Sequence, residues 1–152
     1  MVLQIGGLSD ALDFYEKQFG KFLELLKFFR EIDYPISIST KSTWFVKDER
    51  YREVLHDAKN IHFKVSIITA DEKKAHDIEK GVSSPKERFA TLAELNKLGV
   101  AATTFRFRPF MLGVSADYPY TGRSKQQIDE IMKMASDAGC YSTTTEFMCL
   151  EG

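Results

Sequence analysis

Tyr34-Pro35-Ile36-Ser37-Ile38-Ser39-Thr40-Lys41-Ser42 reads as a strand with two different faces. Side chains alternate across a strand, so Ile36 and Ile38 point one way while Ser37, Ser39 and Lys41 point the other. The same division recurs along the chain. Phe63, Val65 and Ile67 oppose Lys64 and Ser66; Phe105 and Phe107 oppose Thr104, Arg106 and Arg108; Phe147 opposes Ser142, Thr144 and Glu146. Strands of a parallel sheet covered on both faces should instead be apolar throughout. The pattern predicts helices packed on one face and a polar, concave second face. The alternative is a sheet whose second face is simply solvated.

Five strand-like runs carry the rhythm: Val2–Ile5, Ile36–Lys41, Phe63–Thr69, Thr103–Pro109 and Ser142–Met148. A helix-patterned stretch fills every gap, which is the signature of consecutive βα units and a parallel sheet. The spacing predicts a helix over Phe14–Ile32, with Phe19, Phe22, Leu23, Leu26 and Phe29 on one stripe. A second runs from about Lys47 to Ala58 and buries Tyr51, Val54 and Leu55. Asp71–Glu79 is a shorter, more polar helix. Ser84, Pro85 and Glu87 form a start signal, Phe89, Leu92 and Leu95 face inward, and Gly99 ends that helix. Ser124 and Gln127 repeat the capping pattern before Ile128, Ile131 and Ala135, with Gly139 at the close. Runs of strand at both ends of the chain would leave outer edges unpaired. The expected architecture is therefore the middle of a larger α/β barrel-like domain.

Composition narrows the function classes. Of 152 residues, 43% are apolar and 28% charged, so a packed core is feasible and an ordered chain is expected. A formal net charge of -1 gives no global attraction for a polyanion. No apolar run approaches the roughly 18 residues of a membrane helix, and no leader pattern opens the chain, so the cytoplasm is the expected compartment. The two cysteines, Cys140 and Cys149, have no metal-ligand spacing and read as small buried hydrophobes. His56, His62 and His76 lie in three separate elements without ligand spacing. Trp44 and Phe45 read first as packing, with stacking on an adenine as the alternative. The Asp71-Glu72-Lys73-Lys74 run reads as a solvated helix face.

Chemistry gathers at the strand ends. Lys41, Arg106 and Arg108 sit near the C-terminal ends of their strands, where βα folds bind ligands. Three cations there suit a carboxylate or a phosphate. The structural alternative is that they pair with Glu146, Asp10 or Glu16. Gly6 and Gly7 follow the first strand and either admit a ligand to the backbone or shape a tight turn. Ser9 or Asp10 is placed to cap the next helix.

The ordered set of these pieces resembles a known family. Ile5-Gly6-Gly7-Leu8-Ser9-Asp10, Glu16, the Tyr34–Ser42 strand, Val65-Ser66-Ile67-Ile68-Thr69, Ser83-Ser84-Pro85-Lys86-Glu87-Arg88, Arg106-Phe107-Arg108-Pro109-Phe110-Met111-Leu112-Gly113 and Tyr141–Met148 resemble the core of radical S-adenosylmethionine enzymes. The likeness is greatest to the spore photoproduct lyase-like branch. It implies an α/β fold, a fragment of about strands two to six of an open, partial (βα)6 TIM-like barrel, with helices on the outer face. Residues 1–152 would be a single, incomplete core domain. It implies S-adenosylmethionine as cofactor, cleaved reductively at a four-iron four-sulfur (4Fe-4S) cluster to a 5′-deoxyadenosyl radical. Gly6 and Gly7 match the segment that contacts the methionine amino group. Ser9, Lys41 and Ser66 match the carboxylate-holding set, and Arg88, Arg106 and Arg108 are further candidates for the same zwitterion or for substrate. Gly7, Ser9, Lys41 and Ser66 should thus converge at one end of the sheet.

The chain departs from the family at the metal. The Cys-x3-Cys-x2-Cys segment precedes the Gly-Gly turn in that family, and this chain begins after that point. The cluster is expected only in a longer parent or with a missing N-terminal segment or partner chain, and this chain alone is expected to be inactive. The branch likeness adds DNA as a partner; the substrate stays open. Two other classes remain: a different βα-barrel enzyme or phosphate-binding barrel, and a non-catalytic degenerate barrel that binds a partner along an exposed strand edge.

Overall fold

The computed structural model describes residues 1–7 and 9–147. Five strands form one parallel sheet in chain order: β1 (Leu3–Ile5), β2 (Ile36–Thr40), β3 (Ile61–Ser66), β4 (Ala102–Phe110) and β5 (Ser142–Phe147). Each crossover adds its strand on the same side of the last one. With right-handed crossovers, every helix then falls on one face of the sheet. That geometry produces the expected open, one-sided βα arrangement. The expected end of the last strand at Met148, and Cys149, lie outside the described residues.

The helices are α1 (Phe14–Phe19), α2 (Lys21–Glu31), α3 (Glu49–Leu55), α4 (Glu72–Ile78), α5 (Pro85–Leu98) and α6 (Gly122–Asp137), with a 3-10 turn at Trp44–Lys47. The apolar sides of the strands meet them in two clusters. Ile36, Ile38 and Phe63 pack with Phe22, Leu26 and Tyr51; Val65, Phe105 and Phe107 pack with Phe89, Leu92 and Ile131. The capping box at Ser84 forms as expected: Ser84 Oγ accepts from Glu87 N, and Glu87 Oε2 accepts from Ser84 N at 2.9 Å. Trp44 packs edge-on against Tyr51, and its Nε1 donates to the Leu12 carbonyl, which is the packing reading.

Two helix expectations need correction. The single helix over Phe14–Ile32 is broken at Gly20, whose φ of 66° turns the chain between α1 and α2. Phe19 therefore leaves the buried stripe and is 61% exposed. Glu16 makes the break tolerable. Its buried carboxylate accepts from Phe22 N (2.7 Å) and Leu23 N (2.8 Å), the free amides at the start of α2, and from the Tyr51 hydroxyl. Burial and this carboxylate together push the Tyr51 phenol up. Second, α6 starts earlier than expected. Thr121 is its cap and Ser124 is the third helical residue, answering from inside the helix.

The polar face is also drier than its residues suggest. Ser37, Ser39 and Thr104 are buried, although all three lie on the concave side. Small hydroxyls crowd together there as the sheet curves. Thr104 Oγ1 bonds both His62 Nε2 (2.7 Å) and Ser142 Oγ (2.8 Å), linking three strands.

Candidate functional site

The C-terminal ends of the strands enclose a hollow of about 390 Å³, lined by Gly6, Gly7, Ser9, Asp10, Ser39, Thr40, Lys41, Ser66, Arg106, Arg108 and Pro109. Its size falls within the range of about 300–1,000 Å³ usual for small-molecule sites.

The first wall comes from the turn after β1. Gly6 has φ 85°, and any side chain there would collide with the Ser39 carbonyl oxygen. Only glycine permits this approach of β1 to β2. Gly7 is different, because a Cβ at its position would meet open space. Asp10 then fastens the turn. Its carboxylate accepts from the Thr40 hydroxyl (2.8 Å), Lys41 N (2.8 Å) and Leu12 N (3.0 Å). Asp10 thus holds the loop against the end of β2 rather than pairing with a cation.

Lys41 follows β2 and enters the hollow, but it already has a carboxylate. Its Nζ lies 2.5 Å from Glu79 Oε1, with side chains 41% and 8% exposed respectively. Glu79 follows α4, and its other oxygen accepts from Arg88 Nη1 at 2.8 Å. Arg88, on α5, is fully buried. It also donates through Nη1 to the Ser66 carbonyl and through Nε to the Ser83 carbonyl, each at 2.8 Å. Arg88 is therefore not a wall of the hollow. It braces Ser66 directly and Lys41 through Glu79, holding them from the helix layer.

The β4 side supplies Arg106 and Arg108. Arg108 Nη1 pairs with Glu146 Oε2 at 2.7 Å, the pairing that the structural alternative anticipated. Among the described residues Arg106 has no ion-pair partner. Burial lowers its basicity, and the neighbouring Arg108 adds to that. The hollow thus brings together Gly6, Gly7, Ser9, Lys41, Ser66, Arg106 and Arg108, and leaves out Arg88.

Sequence reasoning missed Thr40, Pro109 and Glu79 as parts of this site. Thr40 ends β2, next to Lys41. Glu79 carried no signal, because only the fold brings the end of α4 under Lys41.

The residues do not fit an iron–sulfur cluster. Three thiolates must converge, and the chain has two cysteines. Cys140 packs against the second core cluster, where burial raises its thiol pKa. Among the described residues no group of three or more His, Cys, Asp or Glu is placed to hold a metal. No helix among them is long and apolar enough to cross a membrane.

The fold is shared with SuiB of Streptococcus suis. Its crystal structure aligns over 99% of this chain with a TM-score of 0.68 and 16% identity. SuiB bound to S-adenosylmethionine aligns over 99% with a TM-score of 0.68 and 17% identity. SuiB bound to precursor peptide SuiA aligns over 95% with a TM-score of 0.65 and 17% identity. The chain spans 28–31% of the length of those SuiB chains. At this identity the likeness shows a shared fold and does not reach the spore photoproduct lyase branch. No family model matches the chain, and no curated protein matches it.

Proposed function

We propose that the hollow binds S-adenosylmethionine and that residues 1–152 are a single, incomplete core domain of a radical S-adenosylmethionine protein. The observation that carries this is the meeting of Gly7, Ser9, Lys41 and Ser66, drawn from three βα units, on one hollow at the strand ends. Open space at Gly7 leaves its backbone free to meet the amino group. Ser9, Lys41 and Ser66 supply hydroxyl and ammonium donors for the carboxylate. Lys41 has three donors, and Glu79 occupies one direction only. Gly6 serves the site by letting β1 close on β2.

Radical chemistry needs a cluster whose thiolates this chain does not supply, so the chain's own contribution is to bind and orient the cofactor. The spore photoproduct lyase-like branch, and DNA as substrate, rest on sequence likeness alone. SuiB with its bound precursor peptide makes a peptide the other substrate class in view. Cytoplasmic location rests on cysteine usage alone.

Isothermal titration of S-adenosylmethionine into the 152-residue chain tests the proposal. Lys41→Met and Ser66→Ala should each weaken binding by about tenfold or less, the scale of one charge-assisted hydrogen bond. Absence of binding, or binding that both variants leave unchanged, overturns it. A phosphate-binding barrel is the second reading, favoured by Arg106 having no ion-pair partner among the described residues. Under that reading inorganic phosphate would displace S-adenosylmethionine.

A further inference from the structure

We propose that Lys64, one row below the hollow on the concave face, and Arg106, on the hollow's wall, form a second subsite which takes the carboxylate or phosphate of a ligand other than S-adenosylmethionine. The register places them there. Ser39, Lys64, Thr104 and Ser142 lie in one row across β2 to β5, and Ser66, Arg106 and Thr144 lie in the next. Lys64 and Arg106 are therefore one diagonal step apart on adjacent strands and on the same face, within reach of two long side chains.

Neither cation forms an ion pair among the described residues, and Glu146 acts on Arg106 only at longer range. Lys64 Nζ donates to the neutral Gln4 Oε1 at 3.0 Å. Among the described residues neither Lys64 nor Arg106 has a carboxylate within ion-pair distance. The nearby carboxylates are engaged: Asp10 by Thr40 and Lys41 N, Glu79 by Lys41 and Arg88, and Glu146 by Arg108. Both cations are half-buried, so water screens them incompletely. Burial lowers the basicity of Lys64, and Arg106 lowers it further.

Two like charges held this way in a trough of hydroxyls are costly without an anion and well arranged with one. An oxyanion between them would gain a planar guanidinium fork and an ammonium. Ser39 and Thr144 border the same rows. The Thr104 hydroxyl is already committed to His62 and Ser142, so it shapes the trough rather than binding. This subsite goes beyond the S-adenosylmethionine reading and does not require it.

The test is an amide-shift NMR titration of the full chain with inorganic phosphate and, separately, with succinate. The largest shifts should fall at Lys64, Thr104 and Arg106. Lys64→Met and Arg106→Met should each weaken the anion by about tenfold, and Lys64→Arg should retain it. Tighter phosphate identifies a phosphate-bearing ligand, and tighter succinate a carboxylate-bearing one. Shifts elsewhere, no shifts with either anion, or unchanged affinity in both Met variants overturn the proposal. Circular dichroism matched to the parent chain shows that each variant folds. S-adenosylmethionine titrated into Lys64→Met should bind as in the parent. Failure of the cofactor reading would therefore appear separately, as lost cofactor binding with anion shifts intact.

Discussion

Replacing Arg88 by Met should be among the most destabilising single changes available to this chain. The guanidinium is fully buried and donates to Glu79 and to the Ser66 and Ser83 carbonyls. Methionine fills much of the space, so the loss is electrostatic rather than a cavity. Removing one partner of a buried ion pair costs about 3–5 kcal/mol, because the other charge stays desolvated. Glu79 keeps Lys41, which pulls the figure down; two carbonyls lose a charged donor, which pulls it up by about 1–3 kcal/mol. A net loss of about 4 kcal/mol is expected, a large part of the roughly 5–15 kcal/mol a domain holds. In urea, with a slope of about 2 kcal/mol per molar, the midpoint should fall by about 2 M, followed by far-ultraviolet circular dichroism at neutral pH. The double variant Arg88→Met with Glu79→Leu should recover more than half of that loss, since apolar replacement of a whole buried pair is often close to neutral. Lys41 then loses its carboxylate but is 41% exposed and remains hydrated. A midpoint shift below about 0.5 M for Arg88→Met, or a double variant less stable than the single, would refute the bracing role.

Two further outcomes separate roles within the site. Gly6→Ala should lose at least about 2 kcal/mol in the same urea assay, from strain at positive φ and the collision with Ser39, while Gly7→Ala should change stability by less than about 1 kcal/mol; equal effects would contradict the division between them. Burial, with Lys64 adding to it, lowers the His62 pKa below its ordinary 6.5. The unfolded chain therefore binds the His62 proton more readily than the folded one. Stability should fall as pH drops from above 6.5 towards the lowered folded value, and His62→Asn should flatten that part of the profile.

The strand faces were legible because alternation has a period of two and needs no tertiary information. Ile36, Ile38, Phe63, Phe105 and Phe107 all lie on the helix side as the pattern required. The same alternation put Ser39, Lys64, Ser66, Arg106 and Arg108 on the concave side. Local signals also served where the chemistry was local, as in the Ser84–Glu87 box. They failed at Gly20, because a break can be tolerated when a distant group repairs it. Glu16 does that from the preceding helix, with Tyr51 behind it.

The succession of βα units, the polar second face and the cations at the strand ends all follow from local pattern. Which charges would be satisfied did not. Lys41 meeting Glu79, Arg88 reaching under Ser66, and Lys64 with Arg106 left without a counter-charge depend on which side chains the packed layers bring within a few ångströms. Pairing energies fall steeply with distance and with exposure to water, and neither is written in the order of the residues.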